Sequence, residues 1–255
     1  MGTSSSNPGP GGDSPLVPPW ADLDGQGPGP EPEPQRFRQF RIKLGQFARS
    51  RAEADLKSAL GHYSRKSLGG SATAVRRLAP VARAGSQLLG FLTNVATGGD
   101  GAEWLGFNIS ELVGKGVDDV IDVIVNALCP PGGVPDDEAI RQGMDQALSN
   151  CMEIQENFDP TALTQEMIAN LLMEYLSEEV FLRIVNDSGD ALNKLEDAVQ
   201  EVQAEKDLKD FISSVVDVIA GPRLQDDLFQ VGTDDWERIL REIIQEVFAE
   251  FEEYD

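Results

Sequence analysis

The sequence predicts an all-α fold, a helical bundle preceded by a long disordered N-terminal tail rich in Gly, Pro and Ser. Three observations carry that expectation. Past residue 100, apolar side chains recur at i, i+3, i+4 and i+7; no alternating run is long enough to found a sheet; and 9 of the 15 prolines fall within residues 1–35. The organisation that follows has three parts: 1–35, a disordered tail carrying a partner-docking segment; 36–100, a basic helical segment; and 101–255, an acidic helical bundle.

Residues 1–35 also hold 7 glycines and 4 serines, so more than half of the stretch resists a packed core. A coil of this length has a root-mean-square span of roughly 30 Å. Within it, Pro15, Leu16, Val17, Pro18, Pro19 and Trp20 carry apolar side chains on a backbone largely fixed by proline. Such a segment loses little entropy when it docks, and tryptophan is enriched at binding hot spots. A linker with an incidental tryptophan is the alternative.

The stretches 51–65 and 71–97 read as helical, with Pro80 dividing the second. Val117, Val120, Ile121, Ile124, Val125 and Leu128 share one face of a helix whose other face carries Asp118, Asp119 and Asp122. Asp159 and Pro160 are expected to open a helix through Leu163, Met167, Ile168, Leu171, Leu172, Tyr175 and Leu176, which stops between Asn186 and Gly189. Ser188 is expected to cap a segment with Leu192, Leu195, Val199 and Val202. A separate helix from Leu208 to Ile219 should end at Gly221 and Pro222. The last helix is capped by Thr233, with Asp234 and Asp235 at its positive end, and carries Trp236, Ile239, Leu240, Ile243, Ile244, Val247, Phe248 and Phe251 as one stripe. Because these stripes are complete within 112–251, the bundle is expected to fold without the tail.

Charge is segregated. From Arg36 to Arg83 there are 12 basic residues against Glu53 and Asp55, whereas the whole chain has a net charge of -23. A block of this density can bind phosphate backbones, or it can lie against an acidic partner or the acidic half of the chain itself; Arg76, Arg77 and Arg83 are the candidate contacts. The overall negative charge favours the protein contact, leaving a nucleic-acid-binding adaptor that uses 36–83 as the alternative. One His and two Cys cannot complete a four-ligand Cys/His zinc site, so no metal is expected. No apolar run of 18 residues and no leader-like start occurs, and Cys129 and Cys151 read as buried thiols of a soluble cytoplasmic protein.

Catalysis is not expected. His62 has no Ser or Cys to pair with by spacing, no phosphate loop precedes a helix, and Glu174, Glu178, Glu179, Glu250, Glu252 and Glu253 read as solvated helix faces. Asn108-Ile109-Ser110 matches a glycosylation acceptor that a protein with no export signal never presents. Met1-Gly2-Thr3-Ser4-Ser5-Ser6 matches a myristoylation pattern. Its plainer content is that removal of Met1 leaves an unhindered glycine amine.

Met1 to Ser6, a Pro-Gly-Gly spacer, and then Ser14-Pro15-Leu16-Val17-Pro18-Pro19-Trp20-Ala21, followed by a basic segment with Phe37-Arg38-Gln39-Phe40, together resemble the QatB family, subunits of bacterial Qat anti-phage defence systems. The resemblance implies three partners: a P-loop ATPase-type protein (QatA), a QueC-like enzyme (QatC) and a TatD-like nuclease (QatD). QueC enzymes activate a 7-deazaguanine carboxylate with ATP for attack by an amine nitrogen. With such a partner, the Gly2 amine becomes a candidate modification site. Thr3, Ser4, Ser5 and Ser6 would thread the partner's channel, and Pro15, Leu16, Pro18, Pro19 and Trp20 would dock. The chain itself would be a non-enzymatic subunit without a cofactor.

Overall fold

The computed structural model describes residues 10–11, 13–152, 156–192, 197–224, 228 and 232–254. Among them the fold is all-helical, with ten α-helices and no strand. In chain order these are α1 (Arg38–Ser50), α2 (Glu53–His62), α3 (Ser71–Arg77), α4 (Ala79–Ala96), α5 (Ala102–Leu105), α6 (Val117–Leu128), α7 (Pro135–Met152), α8 (Gln165–Ser188), α9 (Ala198–Leu224) and α10 (Thr233–Glu252). Two compact units form, each discontinuous in sequence. One comprises Met1–Ala79, Val180–Val215 and Arg241–Asp255, and the other Pro80–Glu179 and Val216–Leu240.

In the first unit α1 packs on α2, and Phe40, Leu44 and Phe47 of α1 are all buried. The Phe40 ring lies 4.6 Å from Tyr63, Tyr63 lies 6.4 Å from Phe248, and Phe248 meets Phe251 edge-on at 5.6 Å. This column puts the largest apolar surfaces of the unit in one place, where aromatic burial and geometry both stabilise. Past α2 the chain makes a π-helical turn, Tyr63–Ser67, and then needs two left-handed glycines. At Gly69 (φ +76°) an added Cβ would lie 2.8 Å from Leu16 Cδ1, so only glycine serves both the turn and the approach of the tail. Gly61 is required for a different reason: a Cβ there would collide with the Tyr254 carbonyl oxygen.

Helix ends in this unit are closed from a distance. Gly70 has no capping side chain, and the Ser71 N–H at the start of α3 donates instead to the Glu252 carboxylate. Arg65 donates to the Glu252 and Tyr254 carbonyls, satisfying the last turn of α10.

The second unit uses α6 as expected, with Val117, Val120, Ile121, Ile124, Val125 and Leu128 all buried. Helix α7 was not anticipated; it opens on Pro135, and its Ile140, Met144, Ala147, Leu148 and Met152 are buried. The Tyr175 hydroxyl donates to the Val81 carbonyl at 3.0 Å, and Gly85 gives that ring room. The break between α3 and α4 falls at Leu78, leaving Pro80 in the first turn of α4, where its missing N–H costs nothing.

Several local expectations are corrected. Asp159 caps only a 3-10 turn, Pro160–Ala162, while Thr164 Oγ1 accepts from the Met167 N–H near the start of α8. Ser188 caps nothing, because its hydroxyl donates back to the Val185 carbonyl. The two helices expected between Leu192 and Ile219 are one, α9, which starts after Asp197, whose carboxylate accepts from Val199 N–H, and runs through Pro222 to Leu224. Leu192 is buried outside it, whereas Val199 and Val202 are 74% and 59% exposed; Leu195 lies outside the described residues. Glu178 and Glu179 are buried instead of solvated, and Cys129 and Cys151 are only half-buried. Burial pushes the Cys129 thiol up to about 12 and the Cys151 thiol up to about 11.

Within the tail one short stretch is packed. Residues 13–35 form no helix or strand, yet Leu16, Val17 and Ala21 are 4%, 0% and 1% exposed. Leu16, Val17, Pro18 and Ala21 thus cover part of the core of the first unit, while Asp13, Pro15, Pro19 and Trp20 stay exposed.

Candidate functional site

A proline-rich segment with no helical hydrogen bonds needs outside donors to hold it, and the basic block supplies them. Val17 N–H donates to the Pro28 carbonyl at 3.2 Å, closing a loop whose turn is built on Asp22. The Asp22 carboxylate accepts from the N–H groups of Gln26 at 2.9 Å and Gly27 at 2.6 Å. Desolvation pushes this carboxyl up, but the bonds from Gly27 and Gln26, together with Arg76, outweigh it and hold it below its ordinary value. Arg76 completes the staple, donating to Asp22 at 3.3 Å and to the Gly27 carbonyl at 2.5 Å. Arg241 reaches Asp24 at 2.7 Å, and Lys66 pairs with Glu33 at 3.0 Å.

This anchoring sorts the docking residues. Leu16, Val17 and Pro18 face the unit, while Pro15 and Pro19 are exposed and Trp20 is 46% exposed. The Ala21 N–H donates to the Pro18 carbonyl at 2.9 Å, a tight turn that displays Pro19 and Trp20 at its tip. Gly2, Thr3, Ser4, Ser5 and Ser6 lie outside the described residues.

Beneath the segment sits a buried charge cluster that sequence reasoning did not find. Asp187, 1% exposed, accepts from the Tyr63 hydroxyl at 2.8 Å and pairs with Arg77 at 3.8 Å. Arg41 donates through Nε to the Asp187 carbonyl at 3.0 Å and through Nη2 to the Pro10 carbonyl at 3.2 Å. Arg36, 4% exposed, donates to Ser14 Oγ at 3.2 Å and stacks 4.8 Å from the Phe37 ring centre. Burial, and then the neighbouring Arg77 charge, lowers the Arg36 guanidinium below its ordinary value, with Asp187 opposing. Tyr63 is driven well above its ordinary value by burial and then by Asp187. No local pattern marks Asp187 among 44 acidic residues; its partners come from positions 36, 41, 63 and 77.

Of the three arginines singled out, Arg76 and Arg77 are thus engaged within the first unit. Arg83 belongs to the second, half-exposed and 3.6 Å from Glu237. Among the described residues no group of three His, Cys, Asp or Glu side chains is placed to hold a metal ion, and no helix is long and apolar enough to cross a membrane. Phe37 also lines an open groove of about 450 Å³ between Pro10–Gly11 and the start of α1.

These features describe an all-helical protein that holds a proline-rich segment on its surface with its own arginines. Residues 69–251 match the family described as Qat anti-phage system associated protein QatB, and the chain belongs to that family. The matched stretch excludes the residues 1–21 that carry the tail resemblance, so the two likenesses rest on different parts of the chain. Searches of curated proteins and of solved structures found no match. Family membership places the chain in the Qat anti-phage defence system.

Proposed function

We propose that the chain is a non-enzymatic, cytoplasmic subunit of a Qat-type defence complex that binds the QueC-like enzyme QatC through its N-terminal tail and helical body, and that its Gly2 amine accepts a 7-deazaguanine. QatA and QatD are the further members of that assembly. The observation that carries the reading is the family match over residues 69–251, which supplies the Qat context. The anchored loop supports it: a half-exposed tryptophan on a backbone fixed by prolines and by Asp22 is already ordered before a partner arrives. Leu16 and Val17, buried in the chain's own unit, act as the anchor, and Trp20 with Pro19 forms the contact.

The chemistry asks little of this chain. An N-terminal amine has a pKa of about 7.7 to 8.0, so a useful neutral fraction exists at cellular pH. That nitrogen attacks the carbonyl carbon of the ATP-activated deazaguanine carboxylate. A C–N amide bond forms, the activated C–O bond breaks, the activating group leaves with the electron pair, and the amine gives up a proton. From Asp13 back to Gly2 the covalent chain spans at most roughly 35 to 40 Å, so a body docked at Trp20 keeps the terminus within reach of an enclosed active site and raises its effective concentration there. The nucleic-acid adaptor reading needs Arg76, Arg77 and Arg83 available to phosphates; Arg77 is 6% exposed, and Arg76 already bonds Asp22 and Gly27.

Peptide mass spectrometry of the N-terminus after co-expression with the QueC-like enzyme and a source of the deazaguanine tests this. The expected product is an amide adduct on Gly2 with Met1 removed. An unmodified Gly2, or an adduct on a lysine, contradicts the acceptor role.

A further inference from the structure

Helix α1 carries Arg38, Arg41, Lys43 and Arg49 and no acidic residue, in a chain of net charge -23. Its inward face is accounted for by Phe40, Leu44, Phe47 and Ala48, all buried. The outward face is Arg38, Gln39, Ile42, Gln46 and Arg49, and in its middle Ile42 is 44% exposed. An isolated exposed aliphatic needs no explanation. This one lines the groove of about 450 Å³ together with Gln35, Phe37, Arg38 and Arg41.

The groove is organised before any ligand enters. The Arg41 guanidinium is fixed by the Asp187 and Pro10 carbonyls and sits 5.3 Å from the centre of the Phe37 ring. Arg36 also stacks on that ring, at 4.8 Å from its centre, and its Nε and Nη1 are buried with no acceptor among the described residues. Among the described residues no carboxylate lines the groove. Positive charge on a rigid apolar bed, in a protein otherwise strongly acidic, is a complementary surface for a short acidic segment with one bulky apolar side chain.

We propose that this groove is where the helical body receives the partner: an acidic segment of the QueC-like enzyme places carboxylates at Arg38 and Arg41 and an apolar side chain against Ile42 and Phe37. The proposal rests on the partner reading above and adds the body surface that it lacked. Other occupants fit the charges worse. Residues 1–9 contain no carboxylate. A second copy brings another net charge of -23. A nucleic-acid duplex is longer than the groove and is opposed by the chain's net charge of -23.

Calorimetric titration of the full-length chain with the purified enzyme tests this, using wild type, Arg38→Glu, Ile42→Asp and the conservative Ile42→Leu. Both side chains point outward, so thermal melting of the free variants is expected to match wild type. Arg38→Glu and Ile42→Asp are each expected to weaken binding about tenfold or more, and Ile42→Leu by less than about threefold. Wild-type binding with both disruptive variants equally tight overturns the groove and leaves the partner reading standing. No binding by wild type overturns that reading and the site with it. A wild-type dimer lost in Ile42→Asp assigns the groove to a second copy, and binding of a labelled DNA duplex lost in Arg38→Glu assigns it to polyanions; either result overturns the proposal.

Discussion

Helices α1 and α10 follow the same inward plan. Phe40, Leu44 and Phe47 line one, and Leu240, Ile243, Ile244, Val247, Phe248 and Phe251 line the other, all of them buried. Their outward faces differ in kind. On α10 the exposed positions include Arg238, Glu242, Gln245, Glu246 and Glu250, and no large apolar side chain is exposed. On α1 they are basic or neutral around the exposed Ile42. The face of α10 repels other acidic surfaces; that of α1 offers charge and apolar area together, which is what the core and rim of an interface require. A second contrast lies within the basic block. Arg36, Arg41, Arg65, Arg76 and Arg77 are turned to the chain's own carbonyls, carboxylates and rings, so its density in the sequence overstates the positive surface left for a ligand.

The shared inward plan breaks most sharply at Phe248. Phe248→Ala removes a ring that touches both Tyr63 and Phe251 and is expected to cost about 3 to 5 kcal/mol in urea unfolding. If the tail is part of that same core, deleting residues 1–35 destabilises by roughly 2 to 4 kcal/mol through the loss of Leu16 and Val17 burial. Deleting only 1–9, which keeps the Pro10 carbonyl that Arg41 donates to, should leave the melting temperature unchanged. Equal stability of the two truncations would detach the tail from the fold.

The inward-turned charges make a smaller effect. Tyr63→Phe takes the hydroxyl donor from the buried Asp187 and is expected to cost about 1 to 2 kcal/mol at neutral pH. The pH profile separates this from a packing defect. A tyrosine raised above its ordinary value of 10.0 binds its proton more tightly folded than unfolded, so its contribution is complete below about 10 and is lost as pH rises further. Wild type should therefore lose stability above pH 10 more steeply than Tyr63→Phe. The acidic outward faces give the smallest effect. Asp145 on α7 is raised by burial and then by Asp122, with Asp118 adding to the crowding. Because a raised carboxyl favours the protonated folded state, stability should increase as pH falls toward that value. Asp145→Asn should add a few tenths of a kcal/mol at pH 7 and nothing in acid, since the side chain is exposed.

Much of the helical plan was legible in the sequence. The stripes of α6 and α10 have the right period and are buried as read except at Ile239, which is half-buried, and Pro80 marks the α3–α4 boundary within two residues. Helix α7 was missed because its first turn is Pro135-Asp136-Asp137-Glu138 and Gly143 interrupts it, although Ile140, Met144, Ala147, Leu148 and Met152 hold the helical spacing. Val199 and Val202 show the opposite failure, with correct spacing on a face that meets water. Period reports which residues share a side, and only the neighbours decide whether that side is covered. The site was legible at Trp20, a tryptophan among prolines. It was not legible at Asp187, Arg41 or the α1 groove, because each depends on partners more than 20 residues away or on which arginines the fold turns inward.

Whether the basic block serves a protein partner is decided by binding of the full-length chain, under one buffer series from low to high salt, to the purified QueC-like enzyme and to duplex DNA. A stoichiometric complex with the enzyme that persists at physiological salt and weakens in Trp20→Ala, with no DNA binding there, is the predicted result. Tight, steeply salt-dependent DNA binding lost on neutralising Arg76, Arg77 and Arg83, with no enzyme complex at any salt, would contradict it.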